Sequence, residues 1–128
     1  MSAGDALKRI LPGTIGARFE KSAESFLRAQ GIEPLQRNYR CRAGEIDLIM
    51  IDGDTIVFVE VRYRASTNFG DPLETITRAK QRKIARAASD FLAREPRYRN
   101  HPCRFDAIGI TGAGRNVEYN WIKDAFST

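Results

Sequence analysis

Two acidic residues, Asp47 and Glu60, stand in neighbouring β-rich runs and are candidates to bind a divalent metal ion together. Mg²⁺ and Mn²⁺ prefer an octahedral shell of oxygen atoms, which carboxylates, a backbone carbonyl and waters can supply. An ion held there would lower the pKa of a bound water and polarise a phosphoryl oxygen, which is the chemistry of phosphodiester hydrolysis. The pair predicts such a metal site, and a salt-bridged hairpin without chemistry is the alternative.

The two runs flank Asp52-Gly53-Asp54, and Asp-Gly in that position favours an antiparallel hairpin. A two-residue turn at Asp52-Gly53 would leave Glu60 a diagonal neighbour of Asp47, whereas a turn at Gly53-Asp54 would put the two residues directly opposite each other. Both registers place the two carboxylates on one face of the hairpin. At a separation of about 4 Å their repulsion is on the order of 4 kcal/mol, so a positive charge must offset it.

Side-chain alternation predicts the faces of the two strands. In the first strand it directs Asp47 away from both Ile46 and Leu48. In the second strand it groups Glu60 with Arg62, which makes Arg62 a candidate to neutralise the carboxylate or to hold a phosphate.

Helical and extended patterns alternate along the rest of the chain. A first helix over residues 15–30 ends at Gly31 and carries Glu20. A second helix begins at about Leu73 or Thr77 and ends at Arg94, with an apolar stripe and a basic opposite face. Extended runs are predicted after Pro34 and at residues 45–51, 55–63, 103–110 and 117–122.

This order of helix, three strands, helix and two strands predicts an α/β fold in which a mixed sheet is flanked by helices. The 128 residues fit a single domain over residues 1–128, with a flexible N-terminus over residues 1–13. No apolar run approaches the roughly 18 residues of a membrane span, and no signal peptide is recognised. We therefore expect a cytoplasmic protein without a membrane partner.

Histidine and cysteine content limits the kind of metal site. His101 is the only histidine, which excludes a multi-histidine zinc site. The two cysteines, Cys41 and Cys103, form no C-x-x-C pair, and we expect both to be small buried apolar side chains. A metal would therefore be a hard ion held by oxygen.

Positive charge is concentrated in one part of the chain. The net charge is +5, and residues 78–104 contain nine basic residues against Asp90 and Glu95. This excess indicates either a solvated helix face or a surface that contacts phosphates. The candidate nucleic-acid contacts are Arg64, Lys80, Arg82, Lys83 and Arg86.

Several motifs together resemble a known family over nearly the whole chain. They are Gly16 with Glu20 and Ala23, RNYRCRAGEIDLI at residues 37–49, VFVEVRYR at residues 57–64, Asn68-Phe69-Gly70, and Lys80 in TRAKQRKIARAA. The sequence resembles the YraN-like family of bacterial proteins, which is placed near Holliday-junction resolvases in the PD-(D/E)XK nuclease superfamily. The resemblance implies a restriction-endonuclease-like core and a Mg²⁺- or Mn²⁺-dependent DNA endonuclease selective for branched DNA.

The resemblance also implies roles for individual residues. The metal-binding carboxylates of the superfamily fall on Asp47 and Glu60, and the carbonyl of Val61 completes the protein ligands. The acidic residue of the first helix falls on Glu20, which would orient water or metal. Arg62 would steady the scissile phosphate, and a homodimer would be needed for cleavage of two strands.

Two positions depart from the family pattern. Arg62 stands where the family usually has lysine, and Phe19 stands where it usually has glycine. Arginine can hold a phosphate but cannot readily lose a proton, so a role that needs a neutral amine is closed to it. Lys80 is a candidate for a second cation at the site, and Glu45 is a further candidate site residue.

The departure at Arg62 favours an alternative function, a non-catalytic nucleic-acid-binding or assembly module with a degenerate nuclease site. A third hypothesis is an interaction protein whose basic helix binds an acidic protein partner. Salt-sensitive DNA binding would argue against that third hypothesis.

Overall fold

A computed structural model describes residues 15–66, 70–112 and 115–127, and these residues form a mixed α/β fold. The elements are α1 (Ile15–Ala29), β1 (Glu33–Cys41), β2 (Gly44–Asp52), β3 (Thr55–Arg64), α2 (Arg78–Arg94), β4 (Cys103–Thr111) and β5 (Glu118–Phe126), with 3₁₀ turns at Pro72–Thr75 and Pro96–Tyr98. The predicted fold class, a mixed sheet flanked by helices, is confirmed. The predicted flexible segment 1–13 and the motif residues Asn68 and Phe69 lie outside the described residues.

The five strands form one sheet in the order β1-β2-β3-β4-β5. Neighbouring strands are antiparallel except β3 and β4, which are parallel and are connected through α2. Parallel neighbours need such a crossover because a short turn cannot return the chain to the same end of the sheet.

The two helices cover opposite faces of the sheet. Ala23 and Leu27 of α1 pack in one core cluster with Val57, Val59 and Val61 of β3. The residues of the second cluster come from α2 (Ile84, Ala87, Ala88 and Phe91) and from the strands, including Ile56 and Phe58. Since each fully buried aliphatic or aromatic side chain contributes about 1.5–3 kcal/mol, these two stripes fix the helices on opposite faces of the sheet.

The second helix begins at the later of the two predicted positions. Thr77 is its N-cap, and the Thr77 side chain accepts a hydrogen bond of 3.2 Å from the amide of Lys80. Leu73 lies instead in the preceding 3₁₀ turn, where the side chain of Asp71 caps the amide of Leu73. This start places Lys80 in the first turn of α2.

The hairpin of β2 and β3 has the second of the two predicted registers. Asp52 pairs with Thr55, so the turn residues are Gly53 and Asp54, and Gly53 has a φ of 64°. The pairing continues as far as Leu48 and Val59. A regular continuation by one step would set Asp47 opposite Glu60, but the observed pairing ends before that step.

The strict alternation predicted for β2 is wrong at Asp47. Ile46 packs in the cluster beneath α2, whereas Leu48 packs in the cluster beneath α1, so these two side chains point to opposite faces. The neighbouring strand changes face at the same level, because Asn38 has a φ of 54° between Arg37, which pairs with Leu48, and Tyr39, which pairs with Ile46. A left-handed residue in β1 and an irregular residue in β2 thus form one local kink of the sheet.

The expectation that both cysteines are buried is wrong for Cys103. Cys41 is partly buried and Cys103 is exposed, because Cys103 is the first residue of β4 at the end of the sheet.

Candidate functional site

The four residues predicted to form the catalytic group are all buried. Glu20, Asp47, Glu60 and Arg62 are 3%, 4%, 3% and 3% exposed, and Asp106 is the fifth buried charged residue in the described part of the chain. Removing an ionised side chain from water costs several kcal/mol unless partners compensate it. Three of these side chains, Asp47, Glu60 and Arg62, lie close to Val61 on β2 and β3, and Glu20 is buried on α1, so this part of the fold carries unusual buried charge.

On the α2 side of β3, Glu60 is held by two cations. Arg62 Nη2 donates a hydrogen bond of 2.7 Å to Glu60 Oε2, as the predicted shared face allows. Lys80 Nζ lies 3.8 Å from the same oxygen, and the Lys80 side chain is only 12% exposed. Since both cations approach one oxygen atom, the charge of Glu60 is offset inside the protein.

Asp47 contacts β3 from within the plane of the sheet. The amide of Val61 donates a hydrogen bond of 2.8 Å to Asp47 Oδ2, whereas a regular continuation of the ladder would bring Val61 opposite Ile46. A side-chain carboxylate thus takes the role of a backbone carbonyl, and β2 separates from β3 at this level. Asp47 therefore contacts β3 at Val61, and Glu60 is the preceding residue of that strand.

The carbonyl of Val61 faces the space between β2 and β3 where the two strands separate. In an extended strand the N–H and C=O of one residue point toward the same neighbouring strand. Because the amide of Val61 points to Asp47, its carbonyl also points toward β2. This orientation is the one that the predicted ligand role of Val61 requires.

Glu20 approaches the sheet from α1. It lies in the stripe that also contains Ala23 and Leu27, at spacings that put all three on one side of a helix. Phe19, at the position where the related family usually has glycine, stacks on Tyr63 with ring centroids 3.8 Å apart. This contact fixes the first turns of α1 against the end of β3, two residues beyond Val61.

A hard divalent ion could be held here through a small ligand set. In the described part of the chain no three His, Cys, Asp or Glu side chains form a metal-binding group. Two carboxylates with one backbone carbonyl remain, and Mg²⁺ commonly uses only one or two carboxylates and fills its shell with water. Asp47, Glu60 and Val61 are such a set, with Arg62 as a competitor for Glu60.

The other candidate residues are distributed around this region. Glu45 Oε2 lies 3.6 Å from Arg40 Nε in a partly exposed pair. Arg64 Nε is buried and has no hydrogen-bond acceptor among the described residues. Arg82, Lys83 and Arg86 are exposed on α2.

Part of the basic segment is already neutralised by ion pairs. Arg94 contacts Asp90 at 3.0 Å, and Arg97 contacts Glu95 at 3.6 Å. Arg104 contacts Asp106 at 3.0 Å and Asp52 at 2.9 Å. The excess of positive charge that is available to a partner is therefore smaller than the residue count indicates, and it is concentrated near the start of α2.

Asp106 is a buried charge that the sequence reasoning missed. It is fully buried and accepts hydrogen bonds from Arg104 Nε, from Trp121 Nε1 and from the amide of Asp124 at 2.9–3.2 Å. These partners join β4 to β5 and satisfy the carboxylate, so its role is structural. An aspartate inside the apolar run FDAIGI was the available signal.

Comparisons with known proteins identify relatives over most of the chain. Residues 19–110 match the model of Uncharacterised protein family UPF0102. A UPF0102 protein of Pseudomonas putida strain GB-1 is 48% identical over 118 residues, which cover 90% of this chain and 94% of the relative. UPF0102 proteins of Stutzerimonas stutzeri and Nitrosococcus oceani are each 47% identical, over 88% and 87% of this chain and 94% and 90% of their own lengths. Among the described residues, no helix is long and apolar enough to span a membrane.

Proposed function

The chain belongs to Uncharacterised protein family UPF0102, and we propose that it is a metal-dependent DNA endonuclease with a restriction-endonuclease-like core. Family membership confirms the YraN-like resemblance, whereas the relation to Holliday-junction resolvases and the PD-(D/E)XK superfamily is part of the proposal. The observation that carries it is the burial of Asp47, Glu60 and Arg62 near the point where β2 and β3 separate, with Glu20 buried on α1.

Asp47, Glu60 and the carbonyl of Val61 would hold Mg²⁺ or Mn²⁺. The ion supplies Lewis-acid polarisation of the phosphoryl oxygens and activation of water. A carboxylate can accept about four hydrogen bonds or ligand contacts in total, so Asp47 and Glu60 can each bind an ion and also accept a hydrogen bond from the protein. The positive charge of the ion also offsets the repulsion between the two acids.

Arg62 and Lys80 supply the fixed positive charge at this site. A cation near the scissile phosphate stabilises the negative charge that develops during hydrolysis. Arg62 stays protonated, so it binds phosphate oxygens and does not act as a base. Lys80 reaches the same carboxylate oxygen from α2 and retains a cation beside Glu60 when Arg62 turns to the phosphate. Glu20, buried on the α1 side, orients water or the metal.

DNA is the proposed partner because Lys80 lies beside Glu60 and further basic side chains are exposed after it on α2. Arg64, Lys80, Arg82, Lys83 and Arg86 are proposed to contact backbone phosphates, which are recognised mainly through charge. Selectivity for branched DNA and a symmetric homodimer are carried over from the family resemblance. Cytoplasmic location belongs to the same proposal.

The second candidate function is a non-catalytic nucleic-acid-binding or assembly module. The observation that favours it is the 2.7 Å contact between Arg62 Nη2 and Glu60 Oε2, in which a guanidinium occupies the oxygen that a metal would use. A buried ion pair of this kind can replace an ion in a degenerate site. Both candidate functions predict DNA binding, but only the endonuclease predicts DNA cleavage.

A cleavage assay separates the two candidates. Branched and linear DNA of the same sequence are incubated with the protein and Mg²⁺ or Mn²⁺, beside Asp47→Asn and Arg62→Lys. The endonuclease proposal expects cleavage by the wild-type protein, loss of at least about 100-fold in Asp47→Asn, and retained or increased cleavage in Arg62→Lys. Cleavage that survives Asp47→Asn would refute the assigned residues, and binding without cleavage in all variants would establish the module.

A further inference from the structure

A cleft of about 400 Å³ lies between the β1–β2 turn and the start of α2. We call it the turn cleft, and its polar and turn-forming walls are Arg40, Arg42, Gly44, Glu45, Lys80 and Lys83. Neither the proposed metal ligands nor Arg62 line it. The turn cleft is therefore a separate concavity on the surface of the protein.

Gly44 allows the turn to approach α2 closely enough to form this cleft. It has a φ of 155°, a conformation that L side chains rarely adopt. A Cβ atom at Gly44 would lie 3.4 Å from Lys83 Cβ and 3.4 Å from the Lys83 carbonyl oxygen. The backbone of the turn thus rests on α2, and basic side chains from both elements border the same space.

The walls of the turn cleft carry an excess of positive charge. Four of the residues that line it are basic, namely Arg40, Arg42, Lys80 and Lys83, and Glu45 is its one acidic residue. Arg40 lies 3.6 Å from that acid, and Lys80 lies 3.8 Å from Glu60, so two acids face four basic residues. Convergence of cations from two elements in a small concavity is unfavourable unless an anion or solvent screens them, and it attracts an anion of matching size.

Lys80 connects the turn cleft to the buried carboxylates. It lines the cleft, and its Nζ lies 3.8 Å from Glu60 Oε2. A phosphate bound in the turn cleft and a second phosphate bound next to Glu60 would therefore lie on two sides of Lys80. A polyanion with regularly spaced charges can occupy both positions, whereas a single small anion cannot.

We propose that the turn cleft binds a backbone phosphate of the DNA strand whose neighbouring phosphate lies at the carboxylate site. The identity of the ligand as DNA rests on the proposed function, and the assignment of the cleft rests on its own shape and charge. Arg42 and Lys83 are the residues that make the contact from opposite walls. Arginine binds phosphate oxygens through two parallel hydrogen bonds, and lysine acts as a point charge.

The test uses the full chain and measures DNA binding by fluorescence anisotropy in EDTA, so that no cleavage occurs. Arg42→Gln/Lys83→Gln removes two exposed charges from the turn cleft. Arg28→Gln/Arg99→Gln removes two exposed charges outside the turn cleft, one on α1 and one after the Pro96–Tyr98 turn. Each variant changes the net charge equally, and thermal unfolding checks that both remain folded.

We expect the cleft variant to bind a labelled DNA junction at least about tenfold more weakly, with a salt slope reduced by roughly 2. The control variant should bind within about twofold of wild type, and Arg42→Lys/Lys83→Arg should retain binding because it preserves charge. Equal losses in both double variants, no loss in the cleft variant, no binding by the wild-type protein, or equally tight binding of polyglutamate would overturn the proposal. Cleft-dependent binding in EDTA, together with no cleavage in the separate assay with Mg²⁺ or Mn²⁺, would refute the endonuclease and leave the cleft assignment standing.

Discussion

Lys80 Nζ lies 3.8 Å from Glu60 Oε2, so a residue in the first turn of α2 contacts a buried carboxylate of β3. The contact depends on the Thr77 cap, because the cap sets where α2 begins and therefore which residue faces β3. It also places a primary amine beside the proposed metal ligands. Arg62 cannot offer such a group, since a guanidinium does not lose its proton under ordinary conditions.

Lys80→Met is expected to lower kcat for DNA cleavage by about 100-fold, because removal of one positioned charge at a phosphoryl-transfer site has an effect of that order. Lys80→Arg keeps the positive charge and should retain more activity than Lys80→Met. Single-turnover cleavage rates at saturating protein measure the effect. Lys21→Met, an exposed change on α1, serves as the control. Equal rates for Lys80→Met and the control would contradict a role for Lys80.

Mn²⁺ is expected to raise the thermal midpoint of the wild-type protein, because an ion that binds only the folded state stabilises it. At a concentration about 100 times Kd the gain is about 2.7 kcal/mol. Asp47→Asn should remove this shift, whereas Asp54→Asn, the same chemical change in the exposed hairpin turn, should retain it. Differential scanning fluorimetry gives both values. An unchanged shift in Asp47→Asn would exclude Asp47 as a ligand.

Arg62→Met is expected to lower the free energy of unfolding by about 3 kcal/mol, because it removes the cation that lies 2.7 Å from the buried carboxylate of Glu60. The double variant Glu60→Gln/Arg62→Met removes both charges and should recover at least half of that loss. Urea denaturation at neutral pH measures each value. Arg97→Met breaks a pair whose arginine side chain is 70% exposed and should cost less than about 1 kcal/mol.

If the double variant proves less stable than Arg62→Met, the ion pair contributes more than neutralisation of Glu60. The interpretation of Arg62 as the partner that compensates a buried acid would then be wrong. Such a result would not bear on cleavage, which is measured separately.

The hairpin and the burial pattern of β3 follow from local signals in the sequence. Asp52-Gly53-Asp54 predicts the turn, and the apolar residues after it predict a strand buried on both faces. The sequence leaves two registers open because both put Asp47 and Glu60 on one face. The observed pairing of Asp52 with Thr55 selects the turn at Gly53-Asp54, but the pairing ends at Leu48 and Val59, and Asp47 bonds to Val61 instead of continuing the ladder opposite Glu60.

The kink at Asp47 could not be predicted by alternation, because that rule assumes a regular strand. The change of face in β2 accompanies a left-handed Asn38 in β1, and the Asp47 carboxylate bonds to an amide of β3. Residues of β1, β2 and β3 therefore together determine the position of the Asp47 side chain. The buried position of Asp106 could not be predicted for a similar reason. Trp121 and Asp124, which donate hydrogen bonds to its carboxylate, belong to another strand, β5.

Tyr39→Phe is expected to change the alkaline stability of the protein. Burial, together with the hydrogen bond that Tyr39 donates to Asp90, raises the pKa of Tyr39 to about 12. The pKa of tyrosine in the unfolded chain is about 10. The stability that the neutral Tyr39 hydroxyl gives to the folded protein is therefore complete below pH 10 and is lost as the pH rises toward 12. The variant should be less stable than wild type by on the order of 1 kcal/mol at pH 8, and the difference should shrink above pH 10. Urea unfolding of both proteins across this range measures the difference, and a constant difference up to pH 11.5 would contradict the raised pKa.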